Sequence, residues 1–166
     1  MLLTETYRAL NKELHSNPVY GLSGYKWAKP VSDLCGKLGT VDVLDYGCGK
    51  KSLEGALGFS IKNYDPCIEG LDSPPEPADV VACTDVLEHI EPECIDAVLD
   101  DLKRVVLHTG FFVIANRAAT KNLPDGRNAH LIQQPARWWL PKLCERFDIA
   151  QLICMKGGFI VLVKRD

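Results

Sequence analysis

The apolar run Val41-Asp42-Val43-Leu44 passes directly into Asp45-Tyr46-Gly47-Cys48-Gly49, placing a carboxylate and two glycines where a strand must turn. A short apolar run that stops at such a cluster reads as a buried strand, Val41–Leu44, opening into a helix. Glycine lets a ligand or a second backbone approach closely, because it has no Cβ and accepts left-handed dihedrals. Asp45 selects among ligands. Two residues before the first glycine, it repels a diphosphate and attracts an ammonium or sulfonium cation.

Around this junction, strand and helix patterns alternate. Thr4–His15 predicts a helix with Tyr7, Leu10 and Leu14 on one face, ended by Asn17-Pro18. Tyr20–Lys26 carries two tyrosines and two glycines and reads as a loop able to fold over a ligand. Trp27, Val31, Leu34 and Leu38 recur at helical spacing, with Pro30 tolerable in the first turn and Gly39 at the stop. A short helix at Ser52–Leu57 and a strand at Phe59–Tyr64, ending at Asp65, follow the glycines. Three prolines bar a central strand from Glu69–Pro77. Asp79–Cys83 predicts a buried strand, and Pro92–Leu107 an amphipathic helix with Ile95, Val98, Leu99, Leu102, Val105 and Val106 on its stripe. Phe111–Ala115 predicts a strand and Asn116–Gln134 a long polar loop, a length that goes with function. Pro135–Phe147 reads as a helix disturbed by Pro141, and Asp148–Met155 with Phe159–Val163 as a hairpin around Lys156-Gly157-Gly158.

This order predicts an α/β fold: a mainly parallel sheet with one reversed strand from the C-terminal hairpin. Only 13 residues separate Asp65 from Asp79, too few for another helix and strand, so the sheet is expected to be one strand short. At 166 residues the chain is expected to form one domain, with 1–39 as a helical cap and 40–166 as the core. Ligands of such sheets bind beyond the carboxyl ends of the strands, where Gly47, Asp65, Thr84 and Asn116 fall together.

A net charge of −3 gives no global pull toward nucleic acid or acidic membranes. The seven cysteines form no Cys-x-x-Cys pair and no His/Cys cluster at metal spacing, so no metal is expected and reduced thiols are favoured over disulfides. The first residues lack a signal-peptide pattern, and the apolar runs are strand-sized. A soluble, cytoplasmic protein without a membrane partner is expected.

Leu44-Asp45-Tyr46-Gly47-Cys48-Gly49, Tyr64-Asp65-Pro66 and Ala78-Asp79-Val80-Val81-Ala82-Cys83-Thr84-Asp85-Val86-Leu87-Glu88-His89-Ile90 resemble, in order and spacing, the class I S-adenosylmethionine (SAM)-dependent methyltransferases. The match runs from about Val41 to Val163. Leu123–Leu143 also resembles small methyltransferases of phage and bacterial genomes, a likeness that brings no substrate. The resemblance implies a Rossmann-like sheet and SAM as cofactor. By it, Asp45 would hold the methionine ammonium, Gly47 and Gly49 would let the cofactor lie on the backbone, and Asp65 with Pro66 would meet the ribose. Thr84 would offer backbone groups to the methionine moiety. Asp65-Pro66 also reads as a plain turn initiator, and Asp85, Glu88 and His89 as the start of a helix. Lys50-Lys51 stand where the family has a third glycine, and the usual adenine acid is absent unless Asp72 supplies it.

Methyl transfer is an in-line displacement, so an enzyme mostly aligns and desolvates. A hydroxyl or amine acceptor also needs a base. His130 in the polar loop is the first candidate, with Asp125 and Tyr25 behind it; as a loop residue, His130 can equally serve only as a cap. Segment 116–146 has six basic residues against two acidic ones. That excess suits an anionic small-molecule acceptor held by Arg117 or Arg127, with Tyr25 beside it, as well as an ordinary solvated face. Trp138 and Trp139 read as pocket or core. A nucleic-acid acceptor is the alternative, weakened because Thr84-Asp85-Val86-Leu87 stands in place of the Asp/Asn-Pro-Pro-Tyr/Phe signature. A non-catalytic SAM-fold binding module is another. A nicotinamide-binding fold fits poorly, since Asp45 faces the place of a diphosphate.

Overall fold

The structure, a computed structural model, describes residues 1–165. Its elements are α1 (Glu5–Ser16), α2 (Ala28–Leu38), β1 (Val43–Tyr46), α3 (Ser52–Leu57), β2 (Lys62–Tyr64), β3 (Ala78–Thr84), α4 (Ile95–Val105), β4 (Val106–Ala115), α5 (Ala136–Cys144), β5 (Asp148–Met155) and β6 (Gly158–Lys164). Single 3-10 turns lie at Ser23–Trp27 and Leu87–His89. Six strands form one sheet in the order β2-β1-β3-β4-β6-β5. The first four pair in parallel, and β6 runs antiparallel to both its neighbours. Among the described residues no helix or strand lies between β2 and β3, so β2 is the sheet edge and the shortened sheet is as expected.

Strand alternation divides the core into two layers. Val81 and Cys83 of β3 with Phe112 and Ile114 of β4 pack against α4 and α5, where Leu99, Leu102 and Trp139 are buried. Val80, Ala82, Phe111 and Val113 face α2 and α3 through Val31, Cys35 and Leu53. A third, small cluster of Leu3, Tyr7, Cys67 and Leu123 joins α1 to the loops above the strand ends. It forms a roof. All seven cysteines are free thiols, five of them buried, and no helix of the described residues is long and apolar enough to cross a membrane.

Three strands differ from expectation by two residues or more, β2 among them, which begins at Lys62 rather than Phe59. β1 begins at Val43 and includes Asp45 and Tyr46; Val41 is 69% exposed. Parallel pairing of Leu44–Tyr46 with Lys62–Tyr64 carries the strand through the acid. β4 begins at Val106, directly after α4, rather than at Phe111. Val106 belongs to the sheet, paired with Ala78, and not to the helix stripe. Gly110 sits inside β4 because Phe112 and Val163 fill its side-chain space: a Cβ there would lie 2.6 Å from Phe112 Cζ.

Helix α1 is fastened to the core through its cap. The Thr4 hydroxyl accepts from the Tyr7 amide at 3.1 Å, while Thr4 N–H and Oγ1 each donate to the buried Glu91 carboxylate at 2.9 Å. The Arg8 guanidinium donates to the Pro66 carbonyl. Replacing Glu91 by Ala strands two donors, a loss of about 1–3 kcal/mol. Amide exchange should accelerate across residues 5–16 and leave α4 unchanged; uniform acceleration would show that Glu91 does not act through the cap.

Candidate functional site

The carboxyl ends of β1, β2, β3 and β4 open into one cleft of about 590 Å³, covered by α1, by residues 20–26 and by the loop after β4. Asp45, Gly47, Gly49, Asp65, Pro66 and Thr84 all line it. So do Tyr25, Arg117 and His130 from the acceptor set. Arg127 and Asp125 do not. They pair with each other at 2.7 Å on the exposed loop tip, an Asx turn in which Asp125 also accepts the Arg127 amide. Asp72 is exposed and outside the cleft. Trp139 is fully buried in the core, and Trp138 packs edge-on against it with Lys142 over its ring.

The glycine turn is held by β2. The Tyr64 carbonyl accepts from the amides of Gly47 at 2.7 Å and Cys48 at 3.0 Å, and Asp65 Oδ2 accepts from Gly49 at 3.1 Å. Three successive N–H groups are therefore committed to the protein. A dinucleotide fold aims such amides at a diphosphate; this turn cannot. The glycines are required by packing from two sides. A Cβ on Gly47 (φ +83°) would meet Val86 Cγ2 at 2.4 Å, and one on Gly49 (φ +50°) would meet the Gly21 carbonyl at 2.6 Å. Lys51, where the family has glycine, keeps a left-handed backbone (φ 56°) and points to solvent, so it does not crowd the sheet. Lys50 ties the roof down: its amide donates to Gly21 O and its ammonium to His15 O.

Asp45 is 2% exposed. Burial, then the neighbouring carboxylates of Asp65 and Glu54, push its pKa up to about 7. Such a group is stabilised by an incoming cation. Asp65 is buried as well. Its Oδ1 accepts the Cys67 amide at 2.9 Å, so the Asp-Pro pair does build a turn, and His15 Nε2 stands 3.9 Å from Oδ2. Burial lowers the His15 pKa, and Asp65 opposes the shift. Asp85, beside Thr84, is a non-glycine residue in the left-handed region (φ 56°), a strained conformation of the kind that collects at binding sites.

Several cleft residues escaped the sequence reading. Tyr7, Asn11 and His15, spaced by four, turn one face of α1 into the cleft, a polar-aromatic stripe beside the apolar one formed by Leu10 and Leu14. Tyr20 stands edge-on to both His15 and His89, and His89 edge-on to His130, with ring centroids 5.0, 6.4 and 4.7 Å apart. Lys121 Nζ lies 5.2 Å above the Tyr20 ring. The Arg117 stem rests on Gly157 of the β5–β6 turn, where a Cβ would come within 2.6 Å of Cδ. His130 Nδ1 is 2.7 Å from the Arg117 carbonyl. Glu88 and His89 do form a short helical turn, yet Glu88 is fully buried and its pKa rises to about 8 through desolvation.

No protein-family model and no curated relative matches the chain. Solved structures of similar fold include magnesium protoporphyrin IX methyltransferase of Synechocystis PCC 6803 with bound S-adenosylhomocysteine (18% identity over 86% of this chain and 83% of that one, TM-score 0.60). Another is the 1,6-didemethyltoxoflavin-N1-methyltransferase of Burkholderia thailandensis with its acceptor and S-adenosylhomocysteine (14% identity, 96% and 89% covered, TM-score 0.64). A third is the 16S rRNA methylase RmtB (15% identity, 100% and 77% covered, TM-score 0.58). These similarities, with the sheet order and the terminal hairpin, make the fold that of the Rossmann-like class I methyltransferases.

The two classes of glycine predict opposite mutational signs. Gly49→Ala should lower the melting temperature and expose residues 18–27 to protease, since left-handed strain of about 1–2 kcal/mol adds to the clash with Gly21. Gly55→Ala, with open space around a helical position, should raise stability by about 0.5–1 kcal/mol. A stabilised Gly49→Ala would contradict the packed roof.

Proposed function

We propose that the chain is a SAM-dependent methyltransferase acting on a small, anionic acceptor. Asp45 carries this reading: a buried carboxylate at the lip of a cleft, acted on by other acids, beside a turn whose amides are already used. A ligand bearing both an ammonium and a sulfonium group relieves that repulsion, whereas a diphosphate adds to it. Asp65 completes the cofactor end. Each of its oxygens has a lone pair beyond those used by the Gly49 and Cys67 amides and can accept a ribose hydroxyl. Gly47, Gly49, Pro66 and Thr84 provide the backbone surface beneath.

When bound, SAM supplies an activated methyl group for in-line displacement. The chain's own residues bind, orient and exclude water. Arg117 at the cleft wall and Lys121 over Tyr20 offer positive charge to an anionic acceptor, with Tyr25 at the mouth. If His130 Nδ1–H donates to the Arg117 carbonyl, Nε2 is left with a lone pair for the acceptor's proton. The fold likeness to enzymes named for small-molecule acceptors supports this reading. The likeness to an rRNA methylase makes nucleic acid the acceptor to test against.

Calorimetry with SAM and S-adenosylhomocysteine tests the cofactor, and labelled methyl transfer into metabolite extract against purified RNA and DNA tests the acceptor. Asp45→Ala should abolish SAM binding, while His130→Ala should keep binding and slow transfer by about 100-fold or more. Lack of binding by wild-type protein at millimolar SAM would end the proposal. Asp45 must also release its proton to receive a cation. With a pKa near 7, SAM affinity should therefore fall about fivefold between pH 7 and pH 6, and Asp45→Asn should lose that dependence.

A further inference from the structure

His89 on the turn after β3 and His130 in the loop after β4 line the cleft, and the fully buried Glu88 of the same turn converges on them from the core. One ring nitrogen of each histidine and one carboxylate oxygen of Glu88 lie within 4.8 Å of one another. His130 Nε2 is 4.0 Å from Glu88 Oε1. We propose that these three side chains bind a divalent transition-metal ion, Zn²⁺ fitting best, which presents its remaining coordination positions to an oxygen-bearing acceptor in the cleft.

Three features support a ligand set over a chance gathering. Glu88 Oε2 and His89 Nδ1 are both buried without a hydrogen-bond partner, a costly state for polar atoms in a core. Two further atoms of the group are held by backbone, as metal ligands usually are. Glu88 Oε1 accepts the Ala115 amide at 3.1 Å, and His130 Nδ1 contacts the Arg117 carbonyl at 2.7 Å, which directs the lone pair to Nε2. Two imidazoles lining the cleft and one buried carboxylate form a donor set shared by Zn²⁺ and Fe²⁺ sites. Metal–ligand bonds of about 2.0–2.2 Å put ligand atoms about 3–4 Å apart, so the widest pair closes by about 1 Å. The loop is anchored to allow this: Ile132 N–H donates to the Glu88 carbonyl and His130 N–H to Asn128 Oδ1.

This site deepens the methyltransferase reading and rests on it for the methyl donor. An acceptor hydroxyl on the ion becomes more acidic and gives its proton to solvent. The oxygen lone pair then bonds to the methyl carbon, the C–S bond pair goes to sulfur, and S-adenosylhomocysteine leaves. In this arrangement His130 is a ligand and not the base.

Co²⁺, a visible-absorbing stand-in for Zn²⁺, is titrated into the full chain carrying Cys144→Ser and Cys154→Ser, so that the exposed thiols do not contribute. Saturable visible absorption at one ion per chain is expected, with affinity at least about 100-fold weaker in Glu88→Gln and in His130→Ala. SAM binding by calorimetry is read in the same proteins. Retained SAM affinity in His130→Ala would locate the loss at the metal site and exclude general unfolding. No saturable Co²⁺ or Zn²⁺ binding, unchanged affinity in both variants, or full transfer activity after chelation would each overturn the metal site and leave the methyltransferase reading standing. Metal binding without SAM binding would do the reverse.

Discussion

The Tyr64 carbonyl and the Asp65 carboxylate, receiving the amides of Gly47, Cys48 and Gly49, determine what this cleft can hold. Parallel register sets the contact: Tyr46 pairs with Tyr64, so the turn after β1 lands on the last residues of β2. Once the amides are committed there, the turn has no donors to offer an anion. What remains beside it is negative charge, Asp45 from one strand and Asp65 from the next, in surroundings that screen poorly. The negative character of this end of the cleft thus comes from backbone hydrogen bonding as much as from the acids themselves.

The roof has the opposite character. It is assembled from small contacts spread over the chain: Thr4 on Glu91, Arg8 on Pro66, Lys50 on the carbonyls of His15 and Gly21, and a cluster joining Leu3, Tyr7 and Leu123. None belongs to the sheet. A cover joined this way can open with less disruption than the core beneath it, which suits elements that admit and release ligands.

The strand-end half of the site was legible in the sequence because acids and glycines at strand tips are local signals, and α3 and the terminal hairpin were legible from their turn residues. Val106 continues the apolar period of α4 in sequence, and only its pairing with Ala78 reveals a strand starting without a loop. Arg127 has the charge of a substrate cation in sequence, but it pairs with Asp125 on the loop tip outside the cleft. The approach of Glu88 and His89 to His130 spans 40 or 41 intervening positions, and no spacing rule connects residues across a whole strand–helix–strand crossover; only the parallel pairing of β3 with β4 brings them together.

Gly21 and Gly49 meet backbone to backbone, each occupying the volume the other's side chain would need. The two positions are therefore coupled through the space they share. A larger residue at Gly49 would fit only if the backbone at Gly21 moved away, whatever side chain stood there. The segment around Gly21 and the bend after the first strand thus form one packing unit, although the whole of α2 and the whole of β1 separate them along the chain.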